Sequence, residues 1–227
     1  EASMKLMHFI FTLQLGGIED LIRSLSLTLR QSGHQSTLIA FAQDSSAGVA
    51  EKYIDVFKNS GIGYHCLDKP KGKQRIRTIL RLRKLIRQEK PDILIVHLER
   101  LTPLVIPAAF ALKIPIVQVI HNEYTRGNLF HRLIGKRFVK RYVAVSQNAL
   151  TCVMRRFALR REQALLIRNG IDLDTFRSIS RDYSRMKRIG HVGRMTPQKN
   201  QMELILIYRY LRELCLQSEV APPELHL

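Results

Sequence analysis

The fold is decided by Ile189-Gly190-His191-Val192-Gly193-Arg194-Met195-Thr196-Pro197-Gln198-Lys199-Asn200. Residues 189–192 read as a short buried strand. Gly193 releases it, and Pro197 suits the first turn of a helix, where a missing N–H costs nothing. Arg194 and Lys199 would then both stand near a helix N-terminus, whose free N–H groups and dipole already favour anions. Strand, tight turn and two cations make a candidate diphosphate site. A single further strand–helix unit precedes Leu227, so the domain opening at residue 188 is expected to be incomplete.

The same alternation runs through the rest of the chain. Residues 7–13 are apolar and β-prone, 14–17 turn, and 18–31 carry helical apolar spacing in Leu21, Ile22, Leu25 and Leu29. Gly33 ends that helix, as a residue tolerant of positive φ should. Strands are expected at 37–41 and 64–67 with a helix at 49–59 between them. A basic helix at 76–88 is closed by Pro91. Residues 93–96 and, apart from Gln118, 116–120 are apolar runs, as in parallel strands covered on both faces, with a helix at 104–112 between. Residues 142–145 and 165–167 repeat the strand theme around a helix at 148–157. This predicts an α/β fold with a doubly wound parallel sheet, whose ligands bind at the carboxyl ends of strands. The turns to read are therefore 14–18, 97–100, 121–124, 146–147, 169–172 and 193–199. Residues 4–176 form the first domain, the polar and Arg-rich stretch 177–187 reads as a linker, and 188–227 begin the second. There is no internal repeat.

Hydrophobic residues make up 45% of the 227 positions, enough for a real core. Lys and Arg number 37 against 19 acids, a net charge of +18. Such an excess points to nucleic acid, an anionic membrane surface or phosphorylated small molecules, with a generally basic composition as the alternative. Cys66, Cys152 and Cys215 show neither metal-ligand spacing nor an even framework, which fits a reducing compartment and no metal. Met4-Lys5-Leu6-Met7 runs directly into a strand without a secretory pattern. Residues 101–120 are apolar, but Pro103, Pro107, Pro115 and Lys113 divide them, so no membrane span is expected.

Gly16-Gly17-Ile18-Glu19 follows the first strand and opens the first helix. Two glycines allow close approach of a phosphate or sugar, and Glu19 complements the helix N-terminus; a plain structural turn is the other reading. His97 and His121 each end a strand, where a histidine can donate to a ligand hydroxyl or move a proton; either one equally reads as a structural histidine. His121 is the better candidate, because His121-Asn122-Glu123 is a polar turn. Asn169-Gly170-Ile171-Asp172 can form a tight turn with Asn and Gly at positive φ.

Taken together, Gly16-Gly17-Ile18-Glu19, Pro91 to His97, Ile114-Pro115-Ile116-Val117 with His121, Val143-Ala144-Val145-Ser146, Ile167 to Asp172 with Phe176, and Val192 to Lys199 resemble the retaining GT-B glycosyltransferases of the group 1 and family 4 type. The resemblance spans residues 4–227. It implies two Rossmann-like domains, the first facing the acceptor and the second, incomplete here, holding a UDP- or GDP-linked sugar. It implies that Arg194 and Lys199 bind the diphosphate and stabilise the leaving group without a metal or other cofactor. Gly16, Gly17, Asn169 and Gly193 would line the donor site, and His121 would touch the transferred sugar. The family's paired-glutamate loop would lie past Leu227, and Arg168 stands where Pro is frequent. The 227-residue chain is therefore expected to turn over little.

Lys73, Arg75, Arg77, Arg81, Arg83, Lys84 and Arg87 crowd the helix at 76–88, interleaved with Ile76, Ile79, Leu80, Leu82, Leu85 and Ile86. A solvated face of a core helix and a membrane-surface helix both fit. Nucleic acid fits less well, because no stacking aromatics accompany the charge and Trp is absent. Arg126, Arg132, Lys136, Arg137, Lys140 and Arg141 form a second cluster. The expectation is a hexosyltransferase acting on a membrane-associated glycan or glycolipid, such as a lipopolysaccharide or capsule precursor, at the cytosolic face. A non-catalytic basic domain that binds polyanions is the alternative.

Overall fold

Met7, His8, Phe9 and Ile10 are all buried, so β1 (Lys5–Ile10) has no solvent face. It pairs in parallel with β2 (Gln35–Ala40) on one edge and β4 (Ile93–Val96) on the other. The computed structural model describes residues 2–14, 16–42, 49–69, 74–123, 128–171, 173, 187–193, 195–197 and 199–227. It divides into two units, Glu1–Leu173 and Asp174–Leu227. Phe176, the expected linker up to residue 186, Lys73 and Arg194 lie outside the described residues.

The first unit is a seven-stranded parallel sheet in the order β3-β2-β1-β4-β5-β6-β7. Its remaining strands are β3 (Gly63–Cys66), β5 (Ile116–Ile120), β6 (Val139–Ala144) and β7 (Ala164–Leu166). Helix α1 (Gly17–Gln31) and helix α2 (Val49–Asn59) contribute Ile22 and Phe57 to an apolar cluster with Ile10, Leu38 and Ala40 on one face. On the other face α3 (Arg75–Glu89), α4 (Thr102–Ala109) and α7 (Gln147–Phe157) pack against Met7, Phe9, Leu94 and Val96. The doubly wound α/β sheet expected from the sequence is therefore present. Gly33 takes φ +81° just past α1, the left-handed stop that a glycine supplies most cheaply.

Several boundaries differ from the sequence reading. Helix α4 starts at Thr102 and ends at Ala109 instead of running to 112, because Ala111 and Lys113 take positive φ. The Arg83 guanidinium caps its end, donating to the carbonyls of Ala108 (3.1 Å) and Phe110 (2.7 Å). Between β5 and β6 there is a helical stretch that periodicity did not announce: α5 (Asn128–Phe130), a π-helical turn (His131–Gly135) and α6 (Lys136–Phe138). His131 is buried there, stacked on Phe157 at 4.4 Å between ring centres. Its Nε2–H faces the Glu99 carbonyl at 3.1 Å, which leaves Nδ1 to accept from the Tyr142 hydroxyl at 3.4 Å.

The second unit is a β–α–β segment. β8 (Arg188–Gly190) pairs in parallel with β9 (Glu224–His226), and α8 (Gln201–Gln217) lies between them in sequence. The strand ends at Gly190 instead of residue 192. The helix begins at Gln201 instead of around Pro197, since Asn200 takes φ 50° and the Lys199 N–H closes a turn on the Thr196 carbonyl at 2.9 Å.

Gly135 is required by close approach. A Cβ on it would lie 2.8 Å from His131 Nδ1 and 2.9 Å from the Tyr142 hydroxyl, both locked in the aromatic cluster. Gly135→Ala is expected to lower stability by about 1–3 kcal/mol through this overpacking. Urea denaturation measures it, and an unchanged midpoint would refute the packing argument.

Candidate functional site

Strand register alone brings three histidines into line. His8 of β1 lies opposite Ile95 of β4, and Ile95 lies opposite Val117 of β5. Residues two apart along a strand share a face. His97, two beyond Ile95, and His121, four beyond Val117, therefore follow the face of His8, each one pleat nearer the carboxyl edge. The rings meet along this diagonal. His8 Nδ1 is 3.0 Å from His97 Nε2, and His97 Nδ1 is 3.1 Å from His121 Nε2. Successive rings are nearly coplanar and meet edge to edge, with centres 5.3 and 5.4 Å apart and planes 22° and 25° apart. His8 and His97 are buried, whereas His121 is half-buried at the mouth.

The backbone around this line is held firmly. The His97 N–H donates to the Phe9 carbonyl at 3.0 Å, extending the β1–β4 ladder past the strand end. Gln118 is buried, its amide donating to the carbonyls of Val96 (2.9 Å) and Val119 (3.0 Å) while its carbonyl accepts from the Thr102 hydroxyl. It thereby ties the ends of β4 and β5 to the start of α4.

Gly16 and Gly17 stand at the same edge. From β1 the chain proceeds to β2 and β3 on one side, then returns to β4 on the other, so the winding switches between β1 and β4. A crevice at the carboxyl ends of a doubly wound sheet opens at such a switch. Gly16 is the N-cap of α1 with an extended backbone, φ −165°, so it needs no glycine-specific conformation. A Cβ on Gly17 would meet nothing within 4 Å, which leaves open space over the helix start. Ser146, in another turn singled out by the sequence, caps α7 by accepting from the Ala149 N–H at 3.1 Å.

Other expected residues are placed differently. Asn169 and Gly170 are exposed after β7, and neither takes the positive φ that the expected tight turn requires. In the second unit Lys199 is exposed in the turn before α8, its stem running past Gly193: a Cβ there would be 3.5 Å from Lys199 Cγ. On α3, Arg83 caps α4 and Arg81 reaches the Leu67 carbonyl at 3.3 Å, so these two cations are structural. Arg75, Arg77, Lys84 and Arg87 remain on the surface beside Ile76 and Leu80, which are 76% and 61% exposed. A further cationic hollow of about 600 Å³, lined by Lys113, Lys136, Arg137, Lys140, Arg141 and Arg160, sits at the amino ends of β5 and β6, away from the crevice. Among the described residues no His, Cys, Asp or Glu cluster is arranged to hold a metal, and no helix is long and apolar enough to cross a membrane.

The sequence reading named His97 and His121 but not His8. Its signal was there, as one imidazole inside an otherwise apolar strand. Burial holds His8 and His121 down to about 4. It holds His97 well below the ordinary 6.5, with the two neighbouring imidazoles adding to the effect. In the unfolded chain these rings take up protons near pH 6.5. Protons therefore favour unfolding between the two values: stability is whole above about pH 6.5 and falls toward pH 4. For a ring as buried as His8 the slope is up to about 1.4 kcal/mol per pH unit. Urea midpoints from pH 7.5 to 4.5 should show this decline, and His8→Phe should make it shallower by the share of that one ring; a level wild-type profile would contradict it.

The fold recurs among solved structures. Anabaena Alr3699/HepE in complex with UDP-glucose superposes with TM-score 0.70 at 16% identity, covering 99% of this chain and 68% of that one. For its complex with UDP and glucose the values are 0.69, 17%, 91% and 58%. The lipopolysaccharide outer core galactosyltransferase WaaB matches with TM-score 0.60 at 14% identity, over 85% of this chain and 53% of that one. A putative UDP-N-acetylglucosamine 2-epimerase from Listeria monocytogenes matches with TM-score 0.55 at 17% identity, over 100% and 63%. The chain thus spans little more than half to two thirds of the length of these proteins. No curated protein sequence matches it. Transferases and an epimerase share the architecture, so the fold by itself does not separate them. The sequence profile of Glycosyltransferase Family 4 does, matching residues 15–175 and so nearly all of the first unit: the chain belongs to that family of GT-B glycosyltransferases.

Proposed function

We propose that this chain forms the acceptor-side domain and the start of the donor-side domain of a retaining hexosyltransferase. The enzyme moves a sugar from a UDP- or GDP-linked donor to a membrane-associated glycan or glycolipid, as in lipopolysaccharide or capsule synthesis. The observation that carries this reading is the meeting of Gly16-Gly17, His97 and His121 at the carboxyl edge beside the β1–β4 switch. HepE binds UDP-glucose and WaaB is a galactosyltransferase of the lipopolysaccharide outer core, which supports a nucleotide sugar here. In this reading Gly17 leaves room for the donor over α1, and His121 donates to a hydroxyl of the transferred sugar. Arg194, Lys199 and Gly193 receive the diphosphate, where fixed cations stabilise the charge that develops as the glycosidic bond breaks. Asn169 lines the nucleotide side.

Turnover is measured as nucleotide release from a panel of UDP- and GDP-sugars, in a polypeptide that supplies a complete second unit. Arg194→Ala and Lys199→Ala should each cost about 10²–10³-fold in kcat, as loss of a preorganised charge does. The unfolding midpoint of Lys199→Ala should not move, since Lys199 is exposed. Activity unaffected by either change would overturn the diphosphate assignment.

The exposed Ile76 and Leu80 among Arg75, Arg77, Lys84 and Arg87 support docking of α3 on an anionic bilayer, apolar side chains entering the interface and cations meeting the headgroups. The chain should float with anionic vesicles and not with zwitterionic ones. Flotation should weaken with salt and be lost in Ile76→Ser/Leu80→Ser. Equal flotation with both vesicle types would reject membrane docking.

A further inference from the structure

We infer that His8 and His97 are positioning residues that fix His121 as its Nδ1–H tautomer, making it a hydrogen-bond donor and not a base toward the ligand at the carboxyl edge. What His121 touches rests on the transfer reading above; how it is held does not. A neutral imidazole carries one N–H and one lone pair. With contacts at 3.0 and 3.1 Å through both nitrogens of His97, the three rings allow two arrangements. In the inward one, His121 Nε2–H donates to His97 Nδ1, His97 Nε2–H donates to His8 Nδ1, and the last hydrogen falls on His8 Nε2. In the outward one, His8 Nδ1–H donates to His97 Nε2 and His97 Nδ1–H donates to His121 Nε2.

His8 Nε2 decides between them. It is buried and meets no partner among the described residues. The inward arrangement would strand an N–H there, which costs the full desolvation of a donor. The outward arrangement strands only a lone pair beside the apolar cluster, the milder fault. The hydrogens therefore run outward, and His121 carries its own on Nδ1, which has no protein partner among the described residues. Its Nε2 lone pair is occupied by His97, so His121 has none left to take a proton from an attacking hydroxyl. A charged His97, donating both ways, is disfavoured by burial among two further imidazoles and no carboxylate in contact. The outcome is a rigid N–H aimed from the sheet edge, suited to an oxygen acceptor such as a sugar hydroxyl.

The test is a long-range ¹H–¹⁵N correlation spectrum of the ¹⁵N-labelled 227-residue chain at pH 7.5, the three rings being assigned by single substitutions. The expected result is a protonated Nδ1 and an unprotonated Nε2 on His8, His97 and His121, the reverse of the preference of a free neutral histidine. His97→Gln, whose amide can accept from His8 and donate to His121, should keep His121 on Nδ1–H. His97→Leu, which can do neither, should shift the protonated-nitrogen signal of His121 to Nε2. An Nε2–H or imidazolium signal for His121 in the wild-type chain overturns the proposal, and so does a His121 tautomer indifferent to His97→Leu. The wild-type spectrum decides even if that variant fails to fold. No nucleotide sugar is present, so a negative result here is separate from a failure of the transfer reading.

Discussion

Burial of β1 on both faces and both edges is the constraint on which the first unit depends. A strand in that position must satisfy its N–H and C=O groups in the ladders with β2 and β4. Any polar side chain on it must find a partner within the sheet, because water does not reach it. The same placement sends successive connections to opposite sides of β1, so the crevice opens where β1 and β4 meet. Fold and site thus share one cause. The ring line crosses this junction because β1, β4 and β5 are neighbours, and parallel register steps each histidine one pleat outward.

Much of this was legible in the sequence because it rests on local pattern. The run 93–96 is continuously apolar and 116–120 is apolar apart from Gln118, and both became strands with those bounds. Helix 49–59 was bounded by turn residues and formed over the same span. Gly33 and Gly16 marked helix ends, and Ser146 a turn that proved to be a helix cap, by chemistry that acts within a few residues. Local pattern failed where distant groups decide. Residues 128–138 form a helical stretch because His131 finds Glu99, Tyr142 and Phe157, partners that no window of nearby residues contains. β6 begins at Val139, but the exposed Lys140 and Arg141 interrupt its apolar run and hid its first half. Helix α8 starts after Asn200 because that residue turns left-handed, a choice that Pro197 alone could not reveal. The site followed the same rule: His97 and His121 were visible as strand-end polar residues, whereas their link to His8 is a matter of register.

Charge counting is corrected in the same way. The cations of α3 form one basic run in sequence, yet the fold assigns them different work. Arg83 and Arg81 spend their N–H groups on backbone carbonyls of α4 and of the segment after β3. Charge-assisted bonds of this kind close a helix end that has lost its own donors. The remaining exposed cations share their surface with Ile76 and Leu80. Two large apolar side chains in water beside fixed positive charge make a different surface from a merely solvated one, and that contrast, more than the net charge of +18, gives α3 its meaning.

Packing alone would not choose a histidine at position 8. Its neighbours along β1 are Met7, Phe9 and Ile10, and a leucine or phenylalanine would fill the space without leaving a nitrogen unpaired. Folded chains break such local rules mainly where function compensates. Removing His8 for an apolar side chain would relieve the unpaired Nε2, but it would also take away the donor that sets His97. With nothing donating to its Nε2, His97 could carry its hydrogen on either nitrogen, and His121 would inherit that freedom. The unfavourable group at the buried end of the line is what gives the exposed end a single protonation pattern. A defect tolerated in the core thereby becomes directionality at the crevice.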